Sequence, residues 1–566
     1  MKANCYRTAA RSNALKRCSY PAIVLILKVS LVCLVSVSAF AAGGACPAGL
    51  PVTGNNCYFI AANGADTNNG TSESTPWLHA PGMPNCTGAC ASVTPAAGNG
   101  FIFRGGDTWH MGNSALGPYT GGMWTFQWNG AANNPIYIGV DQRWFAGAAW
   151  ARPILNGDNP LSTSTTLPGC TYNVGANNSF LVLDGLSHIT VDNLEFMGMC
   201  SHSDSNGNVM VSYSYGSDML FENLYFHGWT HQQFNCGTQC FAIFAFRGGS
   251  PSAPAETIHN VVIDGADSDP AGAGAFYAAA WVVYDSVFRN VAQTIVRLPH
   301  VWHDNLVEYW YAPGDHAAHG NVWESTGDAP GTNAFYNNIF RHLSPDGAGQ
   351  VGIWPLPPVG TTGYWFNNLV YDTHGGISGN YFNVGQNGNS GNQGTLVIFN
   401  NTFEQNVSGA IIQCNSTYSH PFTAANNHYI DDASSPYSSP CTGGTFATEL
   451  LMNHSTATSQ GYTASETYAY SPTSSTNSTV GEGTNETSSF CSVLSNSSDT
   501  LLQAAGTACQ YDTGYACSYN SGNHTVTCPA RTATARPASG PWDAGAYEFS
   551  AIDPPGPPSD LVATPQ

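Results

Sequence analysis

Five phrases decide the fold: VWHDNLVEYW (301–310), FYNNIFRHL (335–343), WFNNLVYDT (365–373), IFNNTFEQN (398–406) and AANNHYID (424–431). Each is a short apolar run, an Asn or Asp bend, and a second apolar run. Looser versions extend the series: HITVDNLEFMG (188–198), DMLFENLYFHG (218–228), VVYDSVFRNV (282–291) and HGNVWEST (319–326). Alternation of apolar and polar residues over a few positions is a strand signal, and Asn and Asp supply bends. The Ser or Asn before the second run falls at Ser286, Asn305, Asn321, Asn338, Asn368, Asn401 and Asn427, at gaps of 19, 16, 17, 30, 33 and 26 residues. Self-similarity near this period, with insertions of variable length, marks a solenoid: one coil cannot bury its own apolar face, and stacked coils can. Asn at the same bend of each coil tolerates left-handed backbone, and its amide can bond to the next Asn in a ladder. No long helical period is visible.

The N-terminus reads as an export signal. Lys2, Arg7, Arg11, Lys16 and Arg17 precede an apolar run, and Ala39-Phe40-Ala41 is a small-residue cleavage site, so residues 1–41 are expected to leave. Lys28 breaks the apolar segment and argues against a retained membrane anchor. The mature chain then has no lysine and nine arginines against 36 acids, a formal charge of −27. Such a surface repels nucleic acid and anionic membranes, and it disfavours polyuronates unless calcium bridges the charges. Fourteen cysteines remain, an even number in an exported chain. Local pairs are the economical reading: Cys46/Cys57, Cys86/Cys90, Cys170/Cys200, Cys236/Cys240, Cys414/Cys441 and Cys517/Cys528, with Cys491/Cys509 left by elimination; connectivity itself does not follow from sequence. Localisation is expected to be secreted or at the cell surface, and the protein a monomer.

YFIAANGADTNNGTSESTPW (58–77), FIFRGGDTW (101–109) and ARPASGPWDAGAYEF (535–549) resemble the entry segment, an early coil and the closing segment of secreted right-handed parallel β-helix proteins of the pectate-lyase-like superfold. The resemblance implies an all-β, right-handed parallel β-helix over 58–549 with loop insertions, behind an N-terminal cap at 42–57. Residues 433–500, rich in Ser, Thr and Gly, are expected to be a loop excursion, and 550–566 a Pro-rich tail that resembles a linker into a fibronectin-type-III strand. The superfold hosts many activities, so function must come from the site. The family's catalytic signatures do not transfer. VRLPHVW supplies Arg297 and Pro299 of an R-x-P-x-x-R segment without its second arginine, and VWHDN has the His and Asp of W-x-D-H reversed. A lysine base is excluded, Asp431-Asp432 is the sole paired aspartate, and no G-H-G occurs.

The residue three places after each repeating Ser or Asn is Arg289, Glu308, Glu324, Arg341, Tyr371, Glu404 or Ile430. Equivalent positions in adjacent coils stack about 4.8 Å apart, so Arg-Glu-Glu-Arg is expected to form one charged column, with His303 and His319 on adjacent coils and Asp315 nearby. The functional reading makes Glu308 or Glu324 an acid/base, or Glu308 with Asp315, assisted by His303, His319 and Arg297. The structural reading makes the same column a neutralised ladder. Trp302, Trp310 and Trp323, with Trp281, Trp354 and Trp365, are candidate sugar platforms, and Arg341 a substrate contact. No metal is assigned: zinc at His227, His231, Cys236 and Cys240 competes with a disulfide, and calcium is possible at Asp264, Asp267 and Asp269. The expected function is engagement of an extracellular polysaccharide, as hydrolase or lyase-like enzyme; the alternative is a non-catalytic adhesin, surface or matrix protein.

Overall fold

Short apolar strands close into stacked coils only if the chain turns sharply at the same place in each coil. In the computed structural model, Asn193, Asn223, Asn260, Asp285, Asp304, Asn337, Asn367, Asn400 and Asn426 make that turn, all with φ between 50° and 57°. This left-handed region is one that Asn and Asp tolerate better than other non-glycine residues. The structure describes residues 43–550 except 162–170, 173–178, 202–207, 214–215, 232–242, 248–255, 269–274, 278–281, 293–294, 298, 312–320, 327–330, 346–351, 375–380, 385–393, 408, 415–420, 439–440, 442, 467, 515–517 and 528–531.

The coils form a right-handed parallel β-helix. A first sheet of 13 strands runs from Cys57–Ile60 to Gly444–Ala447, and a second of 12 from Thr108–His110 to Leu450–Met452. A third face carries two sheets of five strands, Trp124–Thr125 to Ala275–Tyr277 and Val296–Arg297 to Ile412–Gln413. All pairings in these sheets are parallel, as in Val301–His303 against Asn333–Tyr336. The inward positions of all three faces meet in one apolar core that includes Phe196, Trp302, Val307, Trp323, Phe340, Trp365 and Phe403.

The two asparagines of each "NN" do different jobs. The first turns the backbone; the second points inward and builds a buried ladder. The backbone N–H and Nδ2 of Asn305 donate to Asn338 Oδ1 (3.0 and 3.2 Å), and Asn338 donates likewise to Asn368 (3.0 and 2.9 Å). The pattern repeats from Asn368 to Asn401 and from Asn401 to Asn427. It ends on Glu449, whose Oε1 accepts both donors of Asn427 while Oε2 accepts Tyr429 (2.6 Å) and Tyr437 (2.8 Å). A carboxylate accepts without donating, so it closes a chain of donors with none left over.

Asn321 does not belong to this ladder. It lies in the third-face strand Asn321–Thr326, in register with Gly352. The expected gaps of 16 and 17 residues are therefore one coil of 33, from Asn305 to Asn338.

Residues 433–500 are not a loop excursion. They complete the first two sheets (Gly444–Ala447, Leu450–Met452), form the helix His454–Ser459, and lead toward the helix Thr500–Ala508. Leu494, Leu502, Ala505 and Cys509 cover Tyr336, Tyr364, Phe366 and Phe399 on the outside of the first sheet. Tyr462, Tyr470 and Tyr547 cover Leu306, Ile339, Leu369 and Tyr371 on the outside of the second. These helices are too short for a periodic signature. Disulfides join Cys46–Cys57, Cys86–Cys90, Cys414–Cys441 and Cys491–Cys509. Cys200 is disulfide-bonded as well, while Cys170, Cys236, Cys240, Cys517 and Cys528 lie outside the described residues. Among the described residues no helix is long and apolar enough to cross a membrane.

Candidate functional site

Strand register along the second sheet aligns Asp264, Arg289, Glu308, Arg341 and Tyr371. Glu308 is the centre of this column. Its Oε2 accepts from Arg341 Nε (2.8 Å) and NH2 (2.6 Å), and its Oε1 lies 3.4 Å from Arg289 Nε. Arg341 also donates to the Glu466 carbonyl (3.1 Å), and Arg289 stacks over the Tyr519 ring at 4.6 Å. Glu308 is 3% and Arg341 7% exposed, beneath the C-terminal cover. Both are placed as members of a sealed, neutralised column, out of reach of a polymer. Trp302, Trp310 and Trp323 are fully buried in the solenoid core. Alternation in their strands sends them inward, so the expectation of sugar platforms is corrected at all three.

His303 is on another face. It stacks between Tyr284 (5.0 Å) and Tyr336 (4.8 Å) on the outside of the first sheet, with Nδ1 bonded to Asp304 (2.6 Å). The bend at Asp304-Asn305 separates it from Glu308. His319 and Asp315 lie outside the described residues. Glu324 is not in the Glu308 column either: it occupies the third face, in register with Arg297 on one side and Trp354 on the other. On the same face Ser212 pairs with Arg247, and Arg247 with Tyr277. In these strands Arg247, Glu324 and Trp354 each lie one position beyond a core residue, Phe246, Trp323 and Ile353. Six of the nine arginines beyond residue 41 are committed elsewhere. Arg104, Arg143, Arg289, Arg341 and Arg536 pair with carboxylates, and Arg152 bonds to backbone carbonyls.

A second cluster stands at the end of the second sheet, where each coil leaves for the third face. Asn290, Tyr309, His342 and Asp372 all have left-handed φ there, between 51° and 53°. Asp372 is held by four donors or imidazoles: His342 Nδ1 on Oδ2 (2.5 Å), His374 Nε2 on Oδ1 (2.6 Å), Asn406 Nδ2 on Oδ1 (2.8 Å), and its own N–H bonded to Glu404 Oε2 (2.5 Å). His342 reaches Glu466 through Nε2 (3.4 Å) and stacks on Tyr309 (4.7 Å). Behind it, His454 bridges Glu404 (3.0 Å) and Asp432 (3.2 Å). The His342 bond, with those of His374, holds the Asp372 carboxyl below the usual range against the opposing effect of burial. Burial disfavours the charged His342, but its bonds to Asp372 and Glu466 outweigh that and raise its pKa. His454 is raised to about 9, chiefly by the Glu404 hydrogen bond.

This cluster was legible in principle. Its members sit four places after the ladder residues Ser286, Asn305, Asn338 and Asn368, one place beyond the column read from sequence.

Among the described residues no three His, Cys, Asp or Glu side chains are arranged to hold a metal. Both ring nitrogens of His227 are bonded, to Asp267 (2.7 Å) and Glu195 (3.0 Å); the side chain of His231, with Cys236 and Cys240, is outside the described structure. Asp264 accepts from Ala266 N, Asn290 Nδ2 and Tyr519 OH, and Asp267 from His227 and Gly228 N. Protein donors thus occupy the carboxylates expected to face calcium, and Asp269 is not described.

No family model matches the chain, and no curated protein matches it. Solved structures do. A rhamnogalacturonan lyase is 14% identical over 70% of this chain and 87% of its own, with a TM-score of 0.39. Pectate lyase Pel9A is 14% identical over 88% and 98%, at 0.36. The GH136 lacto-N-biosidase from Eubacterium ramulus is 11% identical over 70% and 68%, at 0.31. Likeness at this level leaves activity open, and the fold rests on the strand register above.

Proposed function

We propose that the chain is an exported carbohydrate-active β-helix protein that acts on an extracellular polysaccharide, as a hydrolase or lyase-like enzyme. One observation carries the reading. Third-face register aligns Arg297, Glu324 and Trp354 in one sheet, and Arg247 with Tyr277 in the sheet before it. Strand spacing of about 4.8 Å sets the positions within each sheet in a row along the axis, and a linear polymer is the ligand that such rows suit. Glu324 is the acid/base of this reading, Arg297 its charge partner, and Tyr277 and Trp354 the sugar platforms. The disulfides accord with export to an oxidising compartment.

The test is a polysaccharide panel with products read by mass spectrometry. Saturated products indicate hydrolysis and unsaturated ones elimination. Glu324→Gln is expected to lower kcat by on the order of 10²–10⁴, with an unchanged denaturation midpoint. Binding without products selects the non-catalytic adhesin or matrix protein, a reading favoured by the sealed ion pairs of the Glu308 column.

A further inference from the structure

The antiparallel hairpin formed by Ser518–Asn520 and Thr525–Thr527 lies on the outside of the second sheet. Arg152 holds its tip, donating to the carbonyls of Asn523 (3.1 Å) and His524 (3.4 Å). Tyr519 donates to Asp264 Oδ2 (2.8 Å), and its ring stands 4.6 Å from the Arg289 guanidinium. The His524 ring stacks on Tyr225 at 4.1 Å and lies 6.4 Å from the ring of His227. Its Nδ1 is 2.8 Å from the Tyr519 oxygen. A phenol has one proton, and here it serves Asp264. The imidazole is therefore the donor in that contact, and Nε2 is the nitrogen left to take a further proton. Apolar packing adds Tyr519 and Val526, both only partly buried.

We propose that this hairpin is an acid-released flap, docked while His524 is neutral and freed when that imidazole takes a proton. The inference goes beyond the polysaccharide reading and does not depend on it. The charges facing His524 are Glu195, His227 and Asp264 on the sheet below and Arg152 at the tip; Arg289 lies under Tyr519, between Asp264 (3.8 Å) and Glu308 (3.4 Å). Burial disfavours a charge on His227, but its bonds to Asp267 and Glu195 outweigh that and raise its pKa to about 9. A proton on His524 therefore meets a fixed cation. Burial first, and then the His227 charge, hold the His524 pKa below its ordinary value; Asp264 and Glu195 oppose this, and Arg152 adds to it. Once undocked, the imidazole returns to about 6.5. The docked state thus binds the proton more weakly than the free one. Docking is at full strength above about pH 6.5 and weakens up to about tenfold per pH unit below it, until the lowered pKa is reached. Release uncovers Tyr225, Asp264 and Arg289, the start of the column that Glu308 centres.

The experiment is hydroxyl-radical footprinting of the whole protein over a pH series from about 7.5 to 4.5, with oxidation read by mass spectrometry. Tyr225, 5% exposed beneath the hairpin, is the reporter, and Tyr213, 1% exposed in the solenoid core, is the control. In wild type, oxidation of Tyr225 should be constant above about pH 6.5 and then rise with the undocked fraction, by up to about tenfold per pH unit, while Tyr213 stays protected. His524→Gln keeps a neutral side chain at every pH, so its Tyr225 should stay protected down to the acid end of the series. The pH dependence of C2–H exchange at His524 in wild type gives its pKa directly, which should fall below about 6.5; this measurement stands alone if the variant does not fold. Constant oxidation of Tyr225 in wild type, an equal rise in a folded His524→Gln, or a His524 pKa at or above about 6.5 overturns the proposal. So does a parallel rise at Tyr213, which reports unfolding of the solenoid rather than release of the hairpin.

Discussion

Removing Glu308 separates a structural from a catalytic role for the charged column. In Glu308→Ala, Arg341 loses both of its bonds to Oε2 and Arg289 loses a partner at 3.4 Å, under a cover that leaves Arg341 only 7% exposed. Breaking a buried pair from one side typically costs about 3–5 kcal/mol, because the surviving charge stays desolvated. Arg341 keeps the Glu466 carbonyl at 3.1 Å, and Arg289 keeps Asp264 at 3.8 Å, which places the expectation at the lower end, near 3 kcal/mol. Replacing both partners together, Glu308→Leu with Arg341→Met, removes the charges rather than orphaning one, and should recover most of the loss. The assay is urea denaturation at constant m, paired with activity per folded molecule on a polysaccharide that wild type degrades. The reasoning is refuted if Glu308→Ala keeps the wild-type midpoint, or if it abolishes activity while the midpoint holds.

The Asn ladder offers a second test. Asn368→Ala strips the acceptor from two donors of Asn338 and leaves the Phe335 carbonyl without its partner, so a loss of about 2–5 kcal/mol is expected in the same denaturation assay. Trp323→Ala should cost about 3–5 kcal/mol by opening a core cavity, yet leave oligosaccharide affinity unchanged in calorimetry; weaker binding by a folded variant would return this ring to the site. Stability should also fall with alkali. His227, His259 and His454 are each raised to about 9, above the unfolded value near 6.5, so their contribution is complete below about pH 6.5 and fades as pH rises through about 9. Urea midpoints at pH 6, 7.5 and 9 should decline, and His454→Gln should flatten part of that decline; equal slopes in wild type and variant would remove His454 from the account.

The repeat of apolar run, bend and apolar run made the solenoid legible, because strand periodicity and the backbone tolerance of Asn are local properties. The ladder at Asn305, Asn338, Asn368, Asn401 and Asn427 was legible for the same reason, and so were the disulfides Cys46–Cys57, Cys86–Cys90 and Cys414–Cys441, whose partners are close in the chain. HGNVWEST misled because its pattern fits any strand of the coil. Its alternation is correct, but alternation does not say which of three faces a strand joins. That single ambiguity placed Glu324 beside Glu308 and made one coil look like two.

Sequence by itself determined that strands stack in parallel and where the chain bends. Tertiary structure alone decided which carboxylates are sealed and which stand open. Glu308 and Asp372 lie on one sheet, two coils and one position apart, and both are polar residues in a strand. Only the return of the chain after its last coil lays Tyr462, Tyr470 and Tyr547 over the sheet beside the first, and only the packing of coils about 30 residues apart brings His342 and Asn406 to the second. Contacts between segments so distant along the chain are made by stacking, and no local pattern encodes them.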